Sequence, residues 1–195
     1  RDLCGNNCPV INDIIYVIGG NASGSCTTVN QAYNPSTNTW STKTAMSTGR
    51  CHCTAIAING LIYVTGGCNT SGTIRYTSLE IYDPVANSWT TGADIPEARN
   101  SAAAAVVNGI MYVIGGGTTT EVNRVDAYNP TTNTWSSKAS MPTARSSGWA
   151  GVINGIIYIV GGQTGSTIHD TVLAYNPATD TWTTVKSMPA ARSYQ

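Results

Sequence analysis

Four arginines fall at one place in a recurring pattern. Arg50, Arg99, Arg145 and Arg192 each stand 10 residues after a tryptophan. A guanidinium presents its donors in a fixed fork and pairs bidentately with a carboxylate, so arginines in register are candidates for a face that holds acidic groups. The same constancy fits a structural role in which each arginine hydrogen-bonds backbone carbonyls of a neighbouring unit. Ligand sites usually break the symmetry of a repeat, and these four residues keep it.

The second set of reactive groups is sulfur. Cys4, Cys8, Cys26, Cys51, Cys53 and Cys68 all lie in the first 68 residues, and the remaining 127 have none. An even count points to three disulfides, each worth about 2 to 4 kcal/mol, although six cysteines allow fifteen pairings. Cys51-His52-Cys53 has thiolate and imidazole donors of the kind that hold zinc. Four converging ligands at the usual spacing are missing, so no metal or other cofactor is expected. Residues two apart on a strand point the same way, which turns Cys51 and Cys53 toward other segments rather than each other.

Catalytic constellations are sparse. Asp94, Glu97, Glu121, Asp126 and Asp170 fall mostly at strand ends and in loops, where a solvated charge is the ordinary outcome. No nucleophile elbow, phosphate loop or carboxylate pair is present. Charged residues make up 10% of the chain and the formal net charge is zero. Nothing therefore favours nucleic acid or an anionic membrane surface. No apolar run is long enough for a spanning helix. Asn21-Ala22-Ser23 and Asn69-Thr70-Ser71 are N-glycosylation acceptor patterns. With the clustered cysteines they indicate an extracellular or cell-surface location.

The elements that must position these groups are repeats. Double glycines at Gly19-Gly20, Gly66-Gly67, Gly115-Gly116 and Gly161-Gly162 are separated by steps of 47, 49 and 46 residues. Tyr33, Tyr82, Tyr128 and Tyr175 each precede Trp40, Trp89, Trp135 and Trp182 by 7 residues. Length varies between the double glycine and the tyrosine, the mark of a surface loop, whereas the constant part reads as packed. Four short strands, here a to d, can be read in each unit. Strand a (55–58, 103–107 and 149–153) is small and apolar on both faces, as a buried inner strand is. It turns through Asn-Gly, a strong hairpin signal, or through Asn12-Asp13 in the first unit, a weaker version of the same turn. Strand b ends in Gly-Gly, strand c ends before proline, and strand d begins at the tryptophan. Each unit is thus an antiparallel meander without a helix, and such a sheet cannot bury both faces alone.

The Gly-Gly, Tyr, Trp and Arg of each unit, at this period, resemble the kelch motif. The resemblance covers essentially the whole chain and implies an all-β fold of kelch-type β-propeller blades, four four-stranded antiparallel meanders. It divides the chain into blades at 1–49, 50–98, 99–144 and 145–195, the last including the start of a further repeat. It implies that the glycines admit a neighbouring blade while the tyrosines and tryptophans fill the space between blades. It also places the arginines on the face shared with the b to c loops, where kelch proteins commonly bind ligands. Copper-radical oxidases belong among kelch propellers, but they need several histidine ligands, and this chain has only His52 and His169.

The function that follows is a secreted, non-catalytic module for extracellular protein or glycan interaction, or for structural assembly. Its partners are further copies of itself or additional kelch repeats, because both end units keep the interior packing code. Such contacts run head to tail and give a ring or a filament. The alternative is a fragment of a larger kelch-propeller enzyme or lectin acting on carbohydrates.

Overall fold

The computed structural model describes residues 8–193. All regular structure among them is β, in four four-stranded antiparallel sheets and two short hairpins. Each sheet runs in the order a-b-c-d. The strands are Val10–Ile11, Ile14–Ile18, Asn30–Asn34 and Thr39–Lys43 in blade 1, and Thr54–Ile58, Leu61–Thr65, Leu79–Asp83 and Ser88–Gly92 in blade 2. Blade 3 uses Ala103–Val107, Ile110–Ile114, Val125–Asn129 and Thr134–Lys138, and blade 4 uses Trp149–Ile153, Ile156–Val160, Val172–Asn176 and Thr181–Val185. Strand d starts one residue before each tryptophan. The b to c loops of blades 1 and 4 hold the two small hairpins, Asn21–Ala22 with Ser25–Cys26 and Gln163–Thr164 with Thr167–Ile168.

Turn chemistry sets the registers. Asn59 and Gly60, Asn108 and Gly109, and Asn154 and Gly155 all have positive φ, as does the Asn12-Asp13 turn. That geometry matches the twist of the strands it joins. At the c to d turns one residue per blade is left-handed: Asn38, Asn87, Asn133 and Asp180. The Tyr82, Tyr128 and Tyr175 hydroxyls donate to Oδ1 of Asn87, Asn133 and Asp180, and Tyr33 does the same to Asn38. The strand c tyrosine therefore clamps its own turn. Its ring also stacks on the tryptophan of its own blade, with centroids 4.9 to 5.0 Å apart in all four.

The chain forms two compact units, residues 1–100 and 101–195. In the first, Tyr16, Ile18, Ile62, Val64 and Tyr82 pack in one core, with Trp89 against it. In the second, Tyr112, Ile114, Val125, Ile157, Ile159 and Tyr175 do so, with Trp182 against them. The contact between blades is the same in both. The strand b tyrosine of one blade meets the strand c tyrosine of the next, Tyr16 with Tyr82 at 6.0 Å and Tyr112 with Tyr175 at 5.9 Å. The tryptophan indole then donates across the gap, Trp89 to the Thr44 carbonyl and Trp182 to the Ala139 carbonyl. Thr44 and Ala139 each return their own N–H to the turn residue of that next blade, Asn87 or Asp180.

The double glycine is where the neighbouring junctions pass, the following one at its first glycine and the preceding one at its second. In blade 2, Gly66 has φ +66, and a Cβ there would stand 2.5 Å from the Arg99 carbonyl oxygen. Gly67 has φ +85, and a Cβ would meet the Cys51 carbonyl oxygen at 2.7 Å. A side chain at either place would be strained and would push the junction away.

One expectation changes at blade 4. Strand a is buried as expected in blades 2 and 3, but in blade 4 every residue except Ala150 is exposed. Trp149 and Ile153 expose 51% and 62% of their surface. The strand is as apolar as its counterparts, so its exposure does not follow from a different sequence pattern.

Candidate functional site

The arginines turn out to be brackets between blades. Gly20 N–H donates to the Arg50 carbonyl in blade 1, while the Arg50 guanidinium reaches into blade 2 and donates to the carbonyls of Gly66 and Ser78. Its other amino group donates to Ser78 Oγ and Glu80 Oε1, both at 2.7 Å. Arg145 repeats the arrangement: its carbonyl accepts from Gly116 N–H, and its guanidinium donates to Gly161 O, Thr171 O and Thr171 Oγ1. The Gly67 N–H likewise donates to the Arg99 carbonyl.

Arg50, Arg99 and Arg145 expose 0%, 1% and 3% of their surface. The candidate ligand face is corrected accordingly for these three: their heads are buried, and the terminal amino groups of Arg50 and Arg145 donate to the protein's own backbone and side chains. Arg192 differs. Its carbonyl accepts from Gly162 N–H as the others do, but its side chain is exposed.

Burial pushes the Arg50 guanidinium below its ordinary pKa, and the adjoining Glu80 carboxylate opposes that shift. Arg145, which has no carboxylate against it, is lowered by burial alone. The position of Glu80 is held by Gln31, Asp126 and Leu173 in the other blades. Glu80 also accepts from Ser47 N–H and Oγ at 2.8 Å, so it joins the blade 1 junction to blade 2. Asp126 pairs with Arg124 at 2.7 Å.

A second polar site lies on the junction side of the first unit. Asn21, Cys51, His52, Cys68, Asn69, Thr70 and Asn100 are among the residues lining a cleft of about 230 Å³. Cys26 and Cys51 form a disulfide that ties the blade 1 hairpin to the lead-in of blade 2. Cys53 is also disulfide-bonded. The three-disulfide expectation is corrected at Cys8 and Cys68, which keep their thiols. The reason at Cys68 is local: it sits opposite Cys51, whose sulfur is already taken by Cys26. Cys4 lies outside the described residues.

Asn21 and Asn69 both border this cleft. Asn21 Oδ1 accepts from Gly24 N–H, and Asn69 is held by Ile74 N–H and Thr73 Oγ1. His52 and His169 stay apart in sequence and in role. His169 Nε2 is 2.9 Å from Thr164 Oγ1, and its pKa is lowered, first by burial and then by Arg145. Among the described residues no three His, Cys, Asp or Glu side chains converge as metal ligands, and no helix is long and apolar enough to cross a membrane.

Sequence reasoning missed two contributors. Glu80 carries no repeat signature and was invisible for that reason. The exchange between Trp89, Asn87 and Thr44 was hidden because position 44 acts only through its backbone.

Comparison with known proteins gives a consistent answer. The model of the KLHDC2/KLHL20/DRC7 Kelch-repeats domain matches residues 4–141 and 90–194. Kelch-like protein 23 of Mus musculus is 36% identical over 66 residues, which is 34% of this chain and 11% of that protein, and the Homo sapiens protein matches equally. The chain thus spans only a small part of these relatives. The solved structure of YjhT superposes with a TM-score of 0.82 at 18% identity, over 99% of this chain and 68% of the other. That likeness is one of fold. Repeat spacing, four a-b-c-d sheets and a family model covering nearly every residue agree that this chain belongs to the kelch-repeat family.

Proposed function

We propose that this chain is a non-catalytic interaction module that works outside the cell and associates head to tail with a second copy of itself. The observation that carries the reading is the difference between Arg192 and its three counterparts. Arg50, Arg99 and Arg145 are buried, while Arg192 is presented to solvent beside Trp149, Val160, Met188 and Ser193, around an open cleft of about 320 Å³.

The two ends are complementary in detail. Lys186 stands four residues after its tryptophan, as Thr44 and Ala139 do, and is exposed. By the rule of the two observed blade contacts, its N–H and carbonyl suit a turn Oδ1 and an indole N–H from a following blade. Blade 1 offers both in Asn38 and Trp40, the latter 58% exposed. An apolar patch of this kind on a repeat end is normally capped or covered. The extracellular placement draws support from the Cys26–Cys51 disulfide and from the two acceptor patterns at its cleft.

Mixing experiments test the association. A Trp40→Asp variant loses its head and a Trp149→Asp variant loses its tail, so each alone is expected to stay monomeric by light scattering. Combined, they are expected to give a dimer, since one intact head meets one intact tail. A mixture that remains monomeric while the unaltered chain associates contradicts the head-to-tail arrangement. For location, if the native source makes N-glycans, its material is expected to carry a glycan on Asn21 or Asn69. A mass spectrum with both asparagines bare would remove that support.

A further inference from the structure

Three cysteines lie together at the cleft of the first unit. Cys51 and Cys68 face each other as an antiparallel bridge and exchange both backbone hydrogen bonds, Cys51 N–H to Cys68 O at 3.0 Å and Cys68 N–H to Cys51 O at 2.9 Å. Residues in such a pair have Cα atoms about 5.5 Å apart and side chains on the same side. That spacing lies inside the range over which a disulfide closes. Cys51 is meanwhile bonded to Cys26, with Cα atoms 5.1 Å apart. Cys26 Sγ lies 3.4 Å from the Cys68 carbonyl oxygen, and Asn100 Nδ2 donates to the Cys68 sulfur at 3.6 Å. Cys51 thus has two cysteines within reach, and Cys68 is the one left with a thiol.

We propose that Cys26, Cys51 and Cys68 are a thiol–disulfide exchange site in which Cys51 alternates between its two neighbours. The Cys68 thiol loses its proton to solvent, and the thiolate attacks Cys51 Sγ. The Cys51–Cys26 bond breaks, its electron pair leaves on Cys26 Sγ, and that sulfur takes up a proton. One disulfide and one thiol stand on each side of the step, so no oxidant or reductant is consumed.

The consequence is mechanical. The Cys26–Cys51 bond joins blade 1 to blade 2, whereas a Cys51–Cys68 bond lies wholly within blade 2. Exchange releases the blade 1 hairpin, Asn21–Ala22 with Ser25–Cys26, from its covalent tie. It also moves a reactive thiol from a buried position to Cys26, which is half-buried beside an exposed loop. The open cleft bordered by Cys51 and Cys68 gives small thiols access to the same centre.

The test is disulfide mapping after incubation in a glutathione redox buffer, acid quench and alkylation. The unaltered chain is expected to yield Cys51–Cys68 peptides with Cys26 alkylated, alongside Cys26–Cys51 peptides. A Cys68→Ser variant is expected to yield only the Cys26–Cys51 pairing. A Cys26→Ser variant is expected to oxidise to Cys51–Cys68 while keeping the circular dichroism of the unaltered chain. If Cys51–Cys68 is absent from the unaltered chain at every incubation time, the proposal is overturned. It is likewise overturned if folded Cys26→Ser protein keeps both thiols, or if Cys68 pairs with a cysteine other than Cys51 or Cys26. Should Cys26→Ser fail to fold, the mapping of the unaltered chain decides alone.

Discussion

Glu80 is the residue on which the first pair of blades depends most. It neutralises a guanidinium with no exposed surface and accepts from Ser47 across the blade junction. Removing one partner of a buried pair leaves the other charge uncompensated, which costs about 3 to 5 kcal/mol. Glu80→Ala is therefore expected to lower the unfolding free energy by about that amount in denaturant titration; a loss no larger than for an exposed threonine would contradict this account. Asp180 makes the opposite case. Hydrogen bonds from Tyr175 and from Ala139 N–H hold its carboxyl below the usual carboxylate range, while burial pushes the Tyr175 hydroxyl up. A depressed acid adds stability above its unfolded value of about 3.9, and that stability is lost as pH falls through the folded value. The other blades carry asparagine at this turn. Asp180→Asn keeps the oxygen acceptor but loses the charge, so the melting temperature is expected to fall slightly at pH 7 and its decline below pH 4 to be shallower. The repeat made the tyrosines, tryptophans and arginines legible as residues. It did not make Glu80 legible, because a side chain that solves a charge problem in one blade leaves no periodic trace.

At the scale of elements, the Asn-Gly turns and the double glycines were both readable, yet they are glycine for different reasons. Gly60 needs only its positive φ, since a Cβ there would meet nothing within 4 Å. Gly67 needs the φ and also the space, with the Cys51 carbonyl oxygen and the Cys53 Cβ at 2.7 and 2.8 Å from an added Cβ. Gly60→Ala is expected to cost about 1 to 2 kcal/mol and Gly67→Ala about 2 to 4 kcal/mol. Equal losses by thermal or denaturant unfolding would show that the close approach at Gly67 is not under tension. Strand bounds followed the pattern to within two residues, strand b stopping before its double glycine. The hairpins at Asn21–Cys26 and Gln163–Ile168 did not, because two-residue strands in polar loops have no alternation to read. The disulfide count also escaped, since pairing depends on which segments meet at the junction, and an even number of cysteines does not oblige all of them to bond.

For the whole molecule, family and blade architecture were legible because two constant spacings recur four times. The burial of the arginines was not, since a repeated residue serves packing and ligand binding equally well on paper. The proposed association rests on Trp40 and Asn38 in blade 1 and Lys186 in blade 4, which match the positions joined in the two observed blade contacts, together with the exposed Trp149 and Arg192. The most direct measurement is the weight-average mass of the unaltered chain by light scattering over a wide concentration series. The account predicts a mass that rises above the 20.4 kDa of one chain as concentration increases, and that returns to it in an Arg192→Glu, Trp149→Asp variant. A mass fixed at one chain throughout, with the exposed strand 149–153 present, would contradict it.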